Sequence, residues 1–187
     1  MENYHPEQAY QPQVNFVKEG TKIGIINGGI ALILMYGSYF AGLETFVSVQ
    51  LISLFTPYMI IILIVYGLHL RKRNGGFLFF KQGLQFAFMS YVMASLLIAL
   101  GTYILFNLID KDLTQKSFEL GIEKTRKIME SVGAKPEDID KQLEEFRSMP
   151  QKTGMGNIIL GLGTDLIWHF VKSLLITLVI RKERPAF

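Results

Sequence analysis

The chain has no cysteine, a single tryptophan and, over most of its length, almost no charge. Without thiols, disulfides and thiolate metal sites are excluded. The shortage of charge says more. Charged residues make up 19% of the chain and hydrophobic ones 50%, with a mean hydropathy of +0.30, whereas soluble domains carry roughly 25% charge. The deficit is concentrated. Residues 23–43, 45–70 and 82–109 contain no Asp, Glu, Lys or Arg, and 153–180 contains only Asp165 and Lys172. A hydrocarbon core roughly 30 Å thick is crossed by about 20 apolar residues in a helix, so each stretch is long enough to span a bilayer. The expected fold class is therefore all-α: a four-helix transmembrane bundle, with helices 1–3 in residues 21–109 and helix 4 in 153–182.

Catalytic signatures are also missing. There is no His-Glu-x-x-His zinc helix, no Gly-x-Ser-x-Gly elbow and no Walker loop, and the glycines between Gly154 and Gly163 have the wrong spacing for a dinucleotide fingerprint. His5 and His69 stand alone, so neither a metal nor an organic cofactor is expected. A net charge of +3 with its basic residues beside the spans points to membrane topology, and no nucleic acid is expected as a partner.

Polar residues and two prolines mark 1–20 as a flexible tail. The first apolar run is too long for a signal peptide and is expected to be retained. Arg71, Lys72, Arg73 and Lys81 flank the turn between spans two and three, with no acid among them. By the positive-inside rule that turn is cytoplasmic, which puts both termini, including the tail 183–187, on the same side of a bacterial inner membrane. Nine Lys and Arg residues also lie in 110–152, equal to the nine on the inner side, but they are dispersed. The compact clusters decide the orientation.

Inside the second span Pro57 removes a backbone donor and crowds the carbonyl of Ser53, predicting a kink. Gly20, Gly24 and Gly28 recur every four residues on the first helix, as Ser90 and Ala94 do on the third. Such small-residue ridges let backbones approach closely, within one bundle or between two copies. Gly161 is expected to serve the fourth helix in the same way.

Residues 110–152 form the one element with aqueous character. Phe118, Ile122, Met129 and Val132 share a helical stripe ended by Gly133, and Pro136 opens a second helix on which Ile139, Leu143 and Phe146 align. The result is a small amphipathic helical hairpin on the extracytoplasmic side, between helices 3 and 4. It is either a cap over the bundle or a docking site for a second copy or another membrane protein.

The fourth span carries the chain's intramembrane polar residues. Asp165, His169 and Lys172 stand at i, i+4 and i+7 on one face. Lys172 lies about 13 Å in from Arg181 at 1.5 Å per residue, too deep to snorkel with ease, and Ser90 and Tyr91 of the third span sit at matching depth. Two readings follow. The stripe is a proton or ion relay with the imidazole as shuttle, or a polar clasp that fixes helix register or meets another subunit. Trp168, beside it, is expected to pack between helices.

Four spans, the turn Gly75-Gly76-Phe77-Leu78-Phe79-Phe80-Lys81-Gln82-Gly83 and the exit Asp110-Lys111-Asp112 resemble a bacterial family of four-helix membrane proteins, found mainly in Bacteroidota, grouped as domain of unknown function 4199. The likeness covers roughly residues 20–181. It implies a location and an architecture, and it brings no catalytic residues. The expected function is that of a non-enzymatic accessory or scaffold subunit, with a small transporter or channel built on the fourth-span stripe as the alternative. Besides the lipid bilayer, the expected partner is a second copy or a membrane protein met through 110–152. Expressed in a bacterium, the chain should stay in the membrane pellet through alkaline carbonate washing and come off only with detergent. Recovery of a folded monomer in plain buffer would overturn the assignment.

Overall fold

A computed structural model describes residues 14–148 and 155–183, apart from the side chains of Leu54, Phe55 and Met155. Most of the tail expected at 1–20, the connection 149–154 and nearly all of the tail 183–187 lie outside the described residues. Seven α-helices occur among the described residues: α1 (Phe16–Phe40), α2 (Leu43–Phe55), α3 (Tyr58–Arg73), α4 (Phe80–Tyr103), α5 (Leu113–Ser131), α6 (Pro136–Ser148) and α7 (Met155–Ile180). A π-helical turn, Ile104–Ile109, continues α4. Three helical stretches, Phe16–Phe40, Phe80–Ile109 and Gly156–Ile180, are long and apolar enough to cross a membrane, and α2 with α3 makes a fourth if the pair counts as one broken span.

Two expectations change here. The first helix starts at Phe16 rather than after residue 20, because Val14 and Phe16 are buried and the Asn15 side chain accepts a bond from the Lys18 N–H. At Pro57 the chain breaks rather than kinks. Thr56 is extended, with φ −99° and ψ 107°, since proline pushes the residue before it out of the helical region.

By its contacts the chain divides into two compact units. Unit 1 holds α1 through Asn27, Tyr58–Ala94 and α7 from Asp165 onward. In it α1 lies against α4: a Cβ on Gly20 would meet the Phe86 carbonyl oxygen at 2.6 Å, and one on Gly24 the Ser90 carbonyl oxygen at 2.5 Å. Both pairings ascend together, so the helices are parallel. The Ser90 hydroxyl is placed 3.0 Å from the Gly20 carbonyl and 2.8 Å from that of Phe86, shared between the two. On α7 the pairings descend, Thr177 against Gly83 and Phe170 against Phe88, so α7 is antiparallel to α4. Ile180 fills the notch at Gly67 of α3.

One end of unit 1 therefore collects the start of α1, the end of α3, the start of α4 and the end of α7. Polar bonds fasten it. Glu19 accepts from the Tyr66 hydroxyl at 2.7 Å and from Arg73 at 3.1 Å, and Arg71 donates to the Ile180 carbonyl at 3.2 Å, satisfying one of the open carbonyls of the α7 terminus. Leu78 and Lys182 exchange two backbone bonds of 2.9 Å. Gly75 and Gly76, with φ of 74° and 85°, occupy the left-handed region that turns α3 back into α4.

Unit 2 comprises Gly28–Pro57 and Ser95–Thr164. Its core joins Met35, Phe46, Val47, Leu105 and Leu113. The hairpin forms where the sequence places it: Gly133, at φ 77°, ends α5 and Pro136 opens α6. Ile139 and Leu143 are buried, but Val132, expected on the apolar stripe, is 76% exposed, because α5 has ended before it. Lys124 pins α5 to α2, donating to the Ser48 hydroxyl at 2.6 Å and the Glu44 carbonyl at 3.3 Å.

The α1–α4 contact admits no larger residue. Gly24→Leu should push the helices apart, cost about 1–3 kcal/mol and lower the thermal midpoint of the detergent-solubilised protein. Ala at Gly29, where a Cβ meets nothing, is the control expected to leave the midpoint in place.

Candidate functional site

The fourth-span residues are set by how much of α7 the chain covers. Over its last turns α7 buries Ser173, Ile176, Thr177 and Ile180, with each hydroxyl returned to the carbonyl four residues back: Ser173 to His169 and Thr177 to Ser173, both at 2.7 Å. Over its first turns, from Gly156 to Trp168, not one residue is buried. The stripe of Asp165, His169 and Lys172 runs from the bare part into the covered part, so its members have different surroundings.

His169 is half-buried and its ring stacks on that of Tyr91, with centroids 4.6 Å apart and planes 12° off parallel. Tyr91 is 2% exposed. Neither the Tyr91 hydroxyl nor the His169 Nδ1 finds a hydrogen-bond partner among the described residues. Lys172 is half-buried. Asp165 is exposed, and neither of these two makes an ion pair or a side-chain hydrogen bond among the described residues. The structure thus joins Tyr91 to His169 and leaves Asp165 outside the cluster.

Three expectations are corrected. Ser90 does not face the stripe, because its hydroxyl is engaged with the Gly20 carbonyl on α1. Trp168 is 62% exposed rather than wedged between helices. Gly161 packs on nothing, since a Cβ there would meet no atom within 4 Å. Gly28, by contrast, is buried on the same helix as Gly20 and Gly24.

The sequence reading missed Asn27. It is fully buried on α1, and neither its Oδ1 nor its Nδ2 is bonded. An asparagine next to a ridge glycine, Asn27 before Gly28, is the signal that could have found it. A buried amide without a partner is rare enough to mark a place for water or for a ligand's polar atom. Among the described residues no group of three or more His, Cys, Asp or Glu side chains is placed to hold a metal ion.

Apolar helices of spanning length, bare of contacts on wide apolar faces, define a helical membrane protein. The family model described as a protein of unknown function (DUF4199) matches residues 22–182, and the chain belongs to that family. No curated protein and no solved structure matches it.

The stack at His169 permits a simple test. Since its Nδ1 is buried without a partner, His169→Phe keeps the ring contact and removes an unmet polar atom whose burial costs about 1–3 kcal/mol. The expected result is a thermal midpoint equal to or above that of the natural chain. A drop of several degrees would show that the imidazole meets a partner.

Proposed function

We propose that this protein is a four-helix bundle of the bacterial inner membrane, with both termini cytoplasmic, that serves as a non-enzymatic accessory subunit by presenting the first half of α7 to another membrane-spanning protein. Four crossings result when α2 and α3 form one broken span. The meeting of the α1, α3, α4 and α7 ends at one side of unit 1 is what an even number of crossings requires. Arg71, Lys72, Arg73, Lys81 and Lys182 gather at that end, which favours the cytoplasmic face for it.

The observation that carries the accessory role is Asp165. It stands exposed and, among the described residues, unpaired on an apolar helix, beside Ile167 and Trp168, which are 69% and 62% exposed. A carboxylate at the centre of a membrane helix costs about 2.5–3.5 kcal/mol on insertion scales, so such residues face a partner or a water-filled path. A second copy is a poor partner. Two chains inserted in the same direction would bring Asp165 against Asp165, while Lys172 lies about 10 Å further along the axis. The fitting partner is a transmembrane helix with Lys, Arg or a hydroxyl donor at that depth. Ile128 and Val132 of the hairpin, exposed one turn apart, supply a secondary contact through 110–152.

The unmet polar atoms of Asn27, Tyr91 and His169 favour one other reading, a small transporter for protons or ions. Replacing Asp165 with Leu separates the two. On the accessory reading, the partner that copurifies in mild detergent is lost by about tenfold or more, equivalent to 1.4 kcal/mol, while the chain itself stays folded. Unchanged copurification combined with lost proton flux in proteoliposomes would establish transport instead.

A further inference from the structure

Unit 2 holds a partly open cavity of about 660 Å³ beneath the hairpin, within the range of roughly 300–1,000 Å³ typical of small-molecule sites. Its walls come from α1, α2, α4, α5 and α6, with Met35, Phe46, Leu51, Ile98, Phe118 and Leu143 among them. No Asp, Glu, Lys or Arg among the described residues lines it. Thr114, Phe118 and Ile122 also line a second recess of about 540 Å³, whose charged members are Lys111, Asp112, Glu119 and Arg147. The two acids there are engaged: Asp112 with Lys116 at 3.8 Å, and Glu119 as acceptor from Gln115 at 3.0 Å. Lys111 and Arg147 enter no ion pair among the described residues. An apolar slot thus adjoins a recess with two cations that no described carboxylate pairs.

We propose that unit 2 binds an anionic amphiphile, its hydrocarbon chain in the apolar cavity and its charged head against Lys111 and Arg147. The division of labour is physical. An apolar cavity of this size is costly to leave unfilled, and it selects for a chain with no polar atoms along its length. Arg147, as a planar fork, and Lys111, as a point charge, both suit a carboxylate or phosphate oxygen. The hairpin provides one wall of each chamber, so the ligand would also hold α5 and α6 against α2. Ionised long-chain fatty acids and anionic phospholipids share this chemistry.

The test uses the full-length chain in phosphatidylcholine nanodiscs, with a labelled long-chain fatty acid, the fatty alcohol of the same length and phosphatidylglycerol. The acid should bind saturably, one per chain, and about tenfold tighter than the alcohol, as one well-made charged contact allows. Lys111→Gln with Arg147→Gln should erase that preference and leave alcohol binding in place. Gly121 has room for a Cβ 4.0 Å from Val47, so Gly121→Met should fill the cavity and abolish binding of both. Thr125→Leu fills the same space from another position, should either variant misfold. Competition by phosphatidylglycerol would identify a membrane lipid as the ligand, and its failure to compete would identify the free acid. Equal affinity of the natural chain for acid and alcohol, binding that does not saturate, or binding that survives both filling substitutions would overturn the proposal.

Discussion

Apolar side chains gain little by moving from lipid tails to the flank of another helix, so helices in a membrane are held by close fit and by hydrogen bonds. Unit 1 is built on that constraint. Gly20 and Gly24 bring the α1 backbone onto the carbonyl oxygens of Phe86 and Ser90, close enough for Cα–H contacts to carbonyl oxygen to contribute. The Ser90 hydroxyl completes the seam from the α4 side. The notches at Gly67, filled by Ile180, and at Gly83, facing Thr177, repeat the device for α7. With glycine in the contact, the aromatic residues point elsewhere: Phe86 stacks on Tyr66, and Tyr91 on His169.

Where water is available, the same chain uses other means. At the polar end of unit 1 the termini of α1, α3 and α7 are tied by charge-assisted bonds, Glu19 to Tyr66 and Arg73, and Arg71 to the last carbonyl of α7. In unit 2, α5 and α6 bury a narrow apolar stripe and face outward with pairs such as Arg126–Asp140 and Lys127–Glu123. The Lys127 ammonium at 2.6 Å holds the Glu123 carboxyl below the usual carboxylate range. Its contribution is therefore present at neutral pH and lost as pH falls through the depressed value. Both groups are fully exposed, so the pair adds little. Lys124, mostly buried and bonded to α2, is what anchors the hairpin.

How much of this the sequence reveals depends on whether the cause is local. The lengths of the apolar runs, the Gly133 stop and the Pro136 start all act within a few residues, and each appears in the structure near the expected position. Pro57 was visible as a disturbance, but whether a proline kinks or breaks a helix depends on what surrounds the residue before it. The helical start at Phe16 rests on tertiary burial that no window of polar residues discloses. The polar stripe shows the limit most clearly. Periodicity places Asp165, His169 and Lys172 on one face, yet it cannot say how far along that face a neighbour extends. Ser90 and Tyr91 are adjacent in sequence and point to different helices, which a match in depth could not separate.

That limit bears on what α7 is for. Its two halves differ in surroundings: the later half packs on glycine notches, and in the earlier half no described residue is buried, with Ile158, Leu162 and Leu166 covered only in part. If lipid were its sole neighbour, the earlier half would do best with apolar side chains throughout, as at Ile159, Leu160 and Ile167. Asp165 breaks that pattern. An aspartate has one methylene, so it cannot snorkel, and its position ten residues into the helix puts it about 15 Å from the start of α7. Its helix neighbours one turn away, Gly161, Leu162, Trp168 and His169, do not reach it with a hydrogen bond. No group among the described residues satisfies the Asp165 carboxylate, and that unmet charge on the least covered part of α7 is what the proposed accessory role rests on.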